Sequence, residues 1–241
     1  MLTMRQITEK ELIHERLGDE FVQAISDYDT GRRLSVLIDE FLPAGWLAGK
    51  RVLDVGTGLG FFAERLQQRG AKVTAVDIGN GLLNRVRQRV GCECLSVDAL
   101  ELSQYFGEGA FDVVLSSECI EHTPSPERAL REMCKVLRPG GHLSISTPNR
   151  IWYPVVRAAT LLRLRPYDGF ENFSSFQTIR ATLESEQVMI MREKGLHLIP
   201  FQLPLQRLSR WCDENVQALR GCMINLCVLA QKKTVAKVSV T

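Results

Sequence analysis

The sequence predicts an α/β fold, a mostly parallel sheet with helices on both faces. Three observations carry that expectation. Val52-Leu53-Asp54-Val55-Gly56-Thr57-Gly58-Leu59-Gly60 is a short apolar run, a glycine-rich turn and the start of a helical pattern that continues to Arg69. From 50 to 149, short β-rich runs alternate with amphipathic helical ones, the signature of parallel strands joined by crossover helices. Asp54, Asp77, Asp98 and Ser116 fall at the C-terminal ends of apolar runs or just beyond them. In an open parallel sheet those ends border the crevice where strand order reverses, and ligands bind there.

Residues 1–48 read as a helical cap that precedes the alternation. Phe21, Val22 and Ile25 fall at helical spacing, and so do Leu34, Leu37, Ile38, Phe41 and Leu42, before Pro43-Ala44-Gly45 stops the second helix. The stretch 26–33 between them reads as a turn with Asp29 or Thr30 as the helix N-cap. A sharper reading turns Tyr28 and Arg32 toward a substrate pocket. The alternating region gives strands at 51–55, 72–77, 93–97, 111–117 and 141–147, with helices at 61–69, 81–90 and 126–137. Further on, 174–194 reads as a long helix broken by Gly195, 196–203 and 222–230 as the last strands, and 205–219 as the helical connection between them. The main domain then spans 49–233, with 150–175 inserted as a lid and 234–241 as a frayed tail.

A length of 241 residues suits one such domain with a cap, and a net charge of +2 points to no polyanionic partner. The seven cysteines are scattered, and Cys92 and Cys94 stand two apart rather than three. No disulfide framework or zinc knuckle is readable, and free thiols fit a reducing cytoplasm. The first 16 residues are polar and lack an apolar signal core, and no run reaches the length of a membrane span. The segment 150–166 carries four arginines, Trp152, Tyr153 and many aliphatics, but no acid. It fits either a helix packed over the pocket or peripheral contact with an anionic membrane. Tyr167 opens an aromatic turn that joins Tyr28, Arg32, Trp152 and Tyr153 as candidate substrate contacts.

The glycine loop lacks the Lys-Ser/Thr of a phosphate loop and misses the dinucleotide spacing by one residue. It fits a nucleotide-like ligand approached closely by backbone. Asp77, about 20 residues after the loop, suits both hydroxyls of a ribose. The run Glu118-Cys119-Ile120-Glu121-His122, with Asn149 after the next strand, gathers two carboxylates, an imidazole and an amide oxygen. Such a set suits a hard divalent ion that would hold a diol or catecholate and lower its pKa. Without a metal, His122 is the natural general base, and Glu121 serves beside it or caps the helix near Pro126.

Five motifs in order, VLDVGTGLG, VTAVDIG, SVDAL, FDVVLSSECIEH and LRPGGHLSISTPN, resemble those of class I S-adenosylmethionine-dependent methyltransferases, over Arg51 to Asn149. The resemblance implies a Rossmann-like fold with a seven-stranded, mostly parallel sheet. It implies S-adenosylmethionine as cofactor, held by Asp54, Gly56, Thr57, Gly58, Gly60, Asp77, Ile78, Asp98, Ala99 and Ser116. Ile78 and Leu100 would flank the adenine. Asp54 would hold the cofactor's ammonium or orient the loop amides, and Asp98 would meet the adenine amino group or cap the segment after it.

The E-x-x-E-H run with Ser146-Thr147-Pro148-Asn149-Arg150 is similar, more narrowly, to ubiquinone-pathway enzymes that O-methylate polyprenyl catechols. There the residues matching Glu118, Glu121, His122 and Asn149 bind a divalent metal, so the resemblance implies Mg²⁺ or a relative. The implied reaction is in-line methyl transfer to a hydroxyl of a small molecule. It needs no covalent intermediate, so Cys119 has no nucleophilic role and is expected in the core. After Arg150 the chain matches these enzymes only in type. A metal-independent N- or C-methyltransferase of secondary metabolism, an RNA 2′-O-methyltransferase and a noncatalytic cofactor binder remain alternatives. The RNA reading calls for a basic, aromatic face, absent outside 150–166, so no nucleic-acid partner is expected.

Overall fold

The computed structural model describes residues 7–9, 12–13, 26–163 and 169–234. Helix α1 (Asp27–Leu34) runs into a wider π-helical turn, Ser35–Glu40. Five strands follow in alternation with helices: β1 (Arg51–Val55), α2 (Phe61–Gln68), β2 (Lys72–Asp77), α3 (Asn80–Val90), β3 (Glu93–Ser96), α4 (Leu102–Phe106), β4 (Phe111–Ser117), α5 (Pro126–Val136) and β5 (Leu137–Pro148). Then come α6 (Tyr153–Leu161), α7 (Phe176–Ser185), β6 (Val188–Leu196), α8 (Gln206–Asn215) and β7 (Asn225–Lys232). The sheet order is β3-β2-β1-β4-β5-β7-β6, and β7 runs antiparallel to both its neighbours. Strand order reverses at β1, between β2 and β4, as the sequence predicted.

Side-chain alternation along the strands builds two apolar layers. Leu53, Val55, Val114 and Leu143 face one way and pack with Leu130 and Met133 of α5. Val52, Val113 and Leu115 face the other way, toward Leu66 of α2 and Val36, Leu37 and Ile38 of the π-helical turn. Each fully buried Leu or Ile there contributes about 1.5–3 kcal/mol. The segment before β1 is thus built into the sheet's second face. The Ser144 hydroxyl donates to the Leu37 carbonyl at 2.9 Å, satisfying an acceptor on that turn.

Three expectations need correction. Residues 27–33 are helix, not turn, and Ser26 is the N-cap, accepting from the Asp29 amide at 3.3 Å. A buried i,i+4 ion pair between Asp29 and Arg33 carries the helix across Gly31. The helix expected from Phe21, Val22 and Ile25 lies outside the described residues. The long helix expected over 174–194 stops at Ser185, because Gln187 adopts a left-handed backbone (φ 57) and β6 begins at Val188. Residues 197–205 form a loop rather than a strand, and β7 starts three residues later than expected, at Asn225.

Gly195 therefore lies inside β6. A Cβ there would come 2.6 Å from the Met223 sulfur and 2.8 Å from the Arg220 carbonyl oxygen. Gly195→Ala is expected to destabilise the protein by about 1–3 kcal/mol through overpacking. Urea unfolding reads this directly, and a wild-type midpoint would contradict it.

Candidate active site

Backbone freedom shapes the loop after β1. Gly56 has φ 70, and a Cβ on it would lie 2.4 Å from the Cys119 sulfur. Its amide and that of Thr57 donate to the Val76 carbonyl at 2.9 and 3.0 Å, pinning the loop across β2. At the end of β2, Asp77 accepts from the Gly58 amide (3.0 Å) and the Gly79 amide (2.9 Å). Two backbone donors thus orient this carboxylate at the wall of a cavity of about 230 Å³.

Gly56, Thr57, Gly58, Asp77, Ile78, Asp98, Ala99, Glu118 and His122, all candidate site residues from the sequence, line that cavity. Leu82 and Val97 extend its apolar wall beside Ile78 and Ala99. Asp98 accepts from the Leu100 amide at 2.9 Å and closes a local turn rather than capping a helix, since α4 starts at Leu102.

Several predicted contacts stand behind the wall instead. Asp54 is 2% exposed and accepts from the Thr57 hydroxyl at 2.7 Å, so it orients the loop through a side chain. Burial pushes its pKa up to about 7, with Asp77's charge adding to the rise. Ser116 donates to the Val55 carbonyl, and Leu100 belongs to the core. Gly60 caps α2 in a left-handed conformation, where a Cβ would press on Val86. Cys119, expected in the core, lines the cavity where it meets Gly56, and burial holds its thiol far above the ordinary range.

The turn after β4 carries the acids. Glu118 has φ 52, a strained backbone for a residue with a side chain. Its carboxylate accepts from the Ser146 hydroxyl at 2.8 Å. Glu121 is 1% exposed and takes the Thr147 hydroxyl at 3.1 Å, while its Oε1 has no hydrogen-bond partner. It does not cap α5, whose N-cap is Ser125. Burial, then the charge of Glu118, pushes Glu121 well above the usual carboxylate range, and burial raises Glu118 too.

His122 Nε2 lies 3.8 Å from that Oε1, beyond hydrogen-bond reach. Its Nδ1 sits 2.9 Å from the Phe170 carbonyl oxygen. A carbonyl only accepts, so Nδ1 carries the hydrogen and the neutral ring leaves Nε2 unprotonated.

Asn149 takes no part in this cluster. Its amide donates to the Gly221 and Met223 carbonyls at 2.8 and 2.9 Å, and its oxygen accepts from the Ile151 amide. Among the described residues, no three His, Cys, Asp or Glu groups converge to hold a metal ion.

Tyr28 and Arg32 do not reach the cavity. They tie α1 to α8 through the Gln206 carbonyl and Asp213. Thr30 and Arg33 line it instead, and sequence reasoning missed both. Arg33 donates to Asp29 at 2.8 Å and to the Ser117 hydroxyl at 2.6 Å. Against a burial penalty, Arg33 and His197 hold Asp29 down at about 2. The four-residue spacing of Asp29 and Arg33 was the available signal. Trp152 donates to the Cys222 carbonyl and Tyr153 packs edge-on against Phe173, both outside the cavity lining; Tyr167 lies outside the described residues. Helix α6 buries none of its residues. No helix among the described residues is long and apolar enough to cross a membrane.

The family model described as "Methyltransferase domain" matches residues 53–145. The chain is 37% identical over 171 residues to the ubiquinone biosynthesis O-methyltransferase of Acinetobacter baylyi, covering 67% of this chain and 68% of that one. It is 39% identical over 184 residues to the enzyme of that name from Nitrosococcus oceani, covering 72% and 76%. Among solved structures, phosphoethanolamine N-methyltransferase 2 of Haemonchus contortus, in complex with S-adenosyl-L-methionine, is similar in fold at TM-score 0.67 and 16% identity, over 95% of this chain and 61% of that one. An S-adenosylmethionine-dependent methyltransferase of Mesorhizobium loti reaches TM-score 0.64 at 19% identity, over 85% and 100%.

Two outcomes follow. Asp77→Ala removes a charged hydrogen-bond acceptor worth about 1.5–3 kcal/mol, so calorimetry should show S-adenosylhomocysteine binding about 10- to 100-fold more weakly. Equal affinity would contradict the assignment. Asp54, Glu118 and Glu121 ionise later in the folded chain than in the unfolded one, so the native state binds more protons above about pH 4. The stability of the ligand-free protein should therefore fall as pH rises through about 7, the folded pKa of Asp54. Asp54→Asn should flatten that fall; an unchanged slope of Tm against pH would refute it.

Proposed function

The chain belongs to the class I S-adenosylmethionine-dependent methyltransferases, in the group of the ubiquinone biosynthesis O-methyltransferases, and on that premise we propose that its acceptor is a catechol-type hydroxyl on an apolar, prenyl-like chain. The enzyme transfers the methyl group of S-adenosylmethionine to a hydroxyl of a small molecule. The observation that carries the catalytic reading is the 2.9 Å contact between His122 Nδ1 and the Phe170 carbonyl, from which the tautomer is inferred. The locked Nδ1–H leaves Nε2 able to accept a proton at the cavity wall beside the glycine loop.

The cofactor's ribose hydroxyls go to Asp77 and its adenine to the wall of Ile78, Val97 and Ala99. The methionine end passes over Gly56 and Gly58. Arg33 offers a guanidinium to the cofactor's carboxylate. The sulfonium is already activated, so this chain must align the acceptor and take its proton. His122 removes that proton as the oxygen attacks the methyl carbon, and the thioether leaves on the opposite side.

The donor set matches a divalent ion in residue type, but among the described residues its groups do not converge into a metal site. Burial, then the charge of Glu118, raises the pKa of Glu121, burial raises that of Glu118, and a buried Glu121 oxygen lacks a partner. Glu118, Glu121 and His122 would have to draw together to hold an ion, with Glu118 leaving Ser146, and Asn149 would take no part. A bound ion would supply positive charge that lowers the acceptor hydroxyl's pKa.

Segment 150–163 supports peripheral contact with an anionic membrane, where a prenylated acceptor resides. Ile151, Val155, Leu161 and Leu162 are exposed beside Arg150, Arg157 and Arg163. Free thiols throughout fit a cytoplasmic enzyme.

Labelled S-adenosylmethionine offered with a prenylated catechol and a matched amine tests the reading. Label should enter the catechol as a methyl ether, and His122→Ala should lower kcat about 10²- to 10⁴-fold. Label confined to the amine would contradict it. Loss of turnover with chelator, restored by Mg²⁺, is the outcome expected if the ion is held.

A further inference from the structure

The catalytic turn Ile120–His122 is held from outside by the segment 169–175, which returns from α6. Three hydrogen bonds join the two. His122 Nδ1 donates to the Phe170 carbonyl at 2.9 Å. The Asn172 amide nitrogen donates to the Glu121 carbonyl at 2.8 Å, and the Asn172 side-chain nitrogen donates to the Thr123 carbonyl at 2.8 Å. Asn172 thus grips the turn on both sides of His122. The segment is anchored again at Ser174, whose carbonyl accepts from the Arg150 amide at 2.8 Å and which bridges to Asn149.

We propose that Asn172 is a positioning residue for methyl transfer, fixing the tautomer of His122 by holding the Phe170 carbonyl against Nδ1. The inference rests on the reading that His122 Nε2 faces the reacting hydroxyl. It holds whether Nε2 accepts a proton or ligates an ion, because both roles need that nitrogen unprotonated. Which ring nitrogen carries the hydrogen is set by the bond the other one makes. With the carbonyl displaced, the hydrogen moves to Nε2 in part of the population and blocks it.

The residue type matters at one of its two bonds. Any residue but proline would supply the backbone amide to Glu121. The Thr123 carbonyl takes a short side-chain donor, which the Asn172 amide supplies. Asp, of nearly the same shape, would set an acceptor against that carbonyl. The cavity, by contrast, is not lined by Asn172, so its removal leaves the lining residues themselves unchanged.

The test compares Asn172→Ala and Asn172→Asp with the wild-type chain. Loss of a residue that orients an active-site histidine typically costs about 10- to 100-fold. The expected result is a fall of that size in kcat on a prenylated catechol, with unchanged KM for S-adenosylmethionine and unchanged S-adenosylhomocysteine affinity. The imidazole ¹⁵N shifts of His122, assigned by their loss in His122→Ala, should move from a pure Nδ1–H form to a mixture. Unchanged nitrogen shifts in both variants would overturn the inference, whatever happens to rate or Tm. If His122→Ala kept full turnover, the catalytic reading would fail, while the ¹⁵N shifts would still decide whether Asn172 sets the tautomer.

Discussion

The closeness of Gly56 to Cys119 is the constraint on which the site depends. A Cβ at Gly56 would overlap the Cys119 sulfur at 2.4 Å, so only glycine lets the loop after β1 and the turn after β4 share a wall. The sheet brings them level, since Val55 pairs with Ser116 in the β1–β4 register. One contact therefore places the glycine loop beside the turn that carries Glu118 and His122. The left-handed Glu118 is the local cost, a strained residue held where the chain must swing His122 into the cavity.

The cavity carries both signs of charge. Asp77 and Glu118 line it with carboxyl groups, and Arg33 lines it with a guanidinium. The supports lie farther out. His197 Nε2 sits 2.9 Å from Asp29, which in turn holds Arg33, so the loop after β6 braces a helix that precedes β1. Buried charges of this kind persist where partners surround them.

Much of this was legible in the sequence, for local reasons. Period-two and period-3.6 apolar patterns gave β1 to β5 and helices α2, α3 and α5 within a few residues, but not the short α4. The glycine spacing and Asp77 marked one wall of the cavity. What stayed hidden depends on distant packing. Met189, Met191, Glu193 and Lys194 favour helix locally, yet they form strand because β7 offers a partner. Asn149 looked like a ligand from its place after β5, but its amide is consumed by the carbonyls of residues 221 and 223. The Phe170 carbonyl that fixes His122 is a backbone group 48 residues away, and a backbone group has no sequence signature.

A crystal structure with S-adenosylhomocysteine and a prenylated catechol bound together tests the account most directly. The account predicts both ribose hydroxyls on Asp77, and an acceptor oxygen about 3 Å from His122 Nε2, in line with the cofactor sulfur. An adenosyl group seated away from Asp77, or an acceptor oxygen turned from His122 toward another wall, would contradict it.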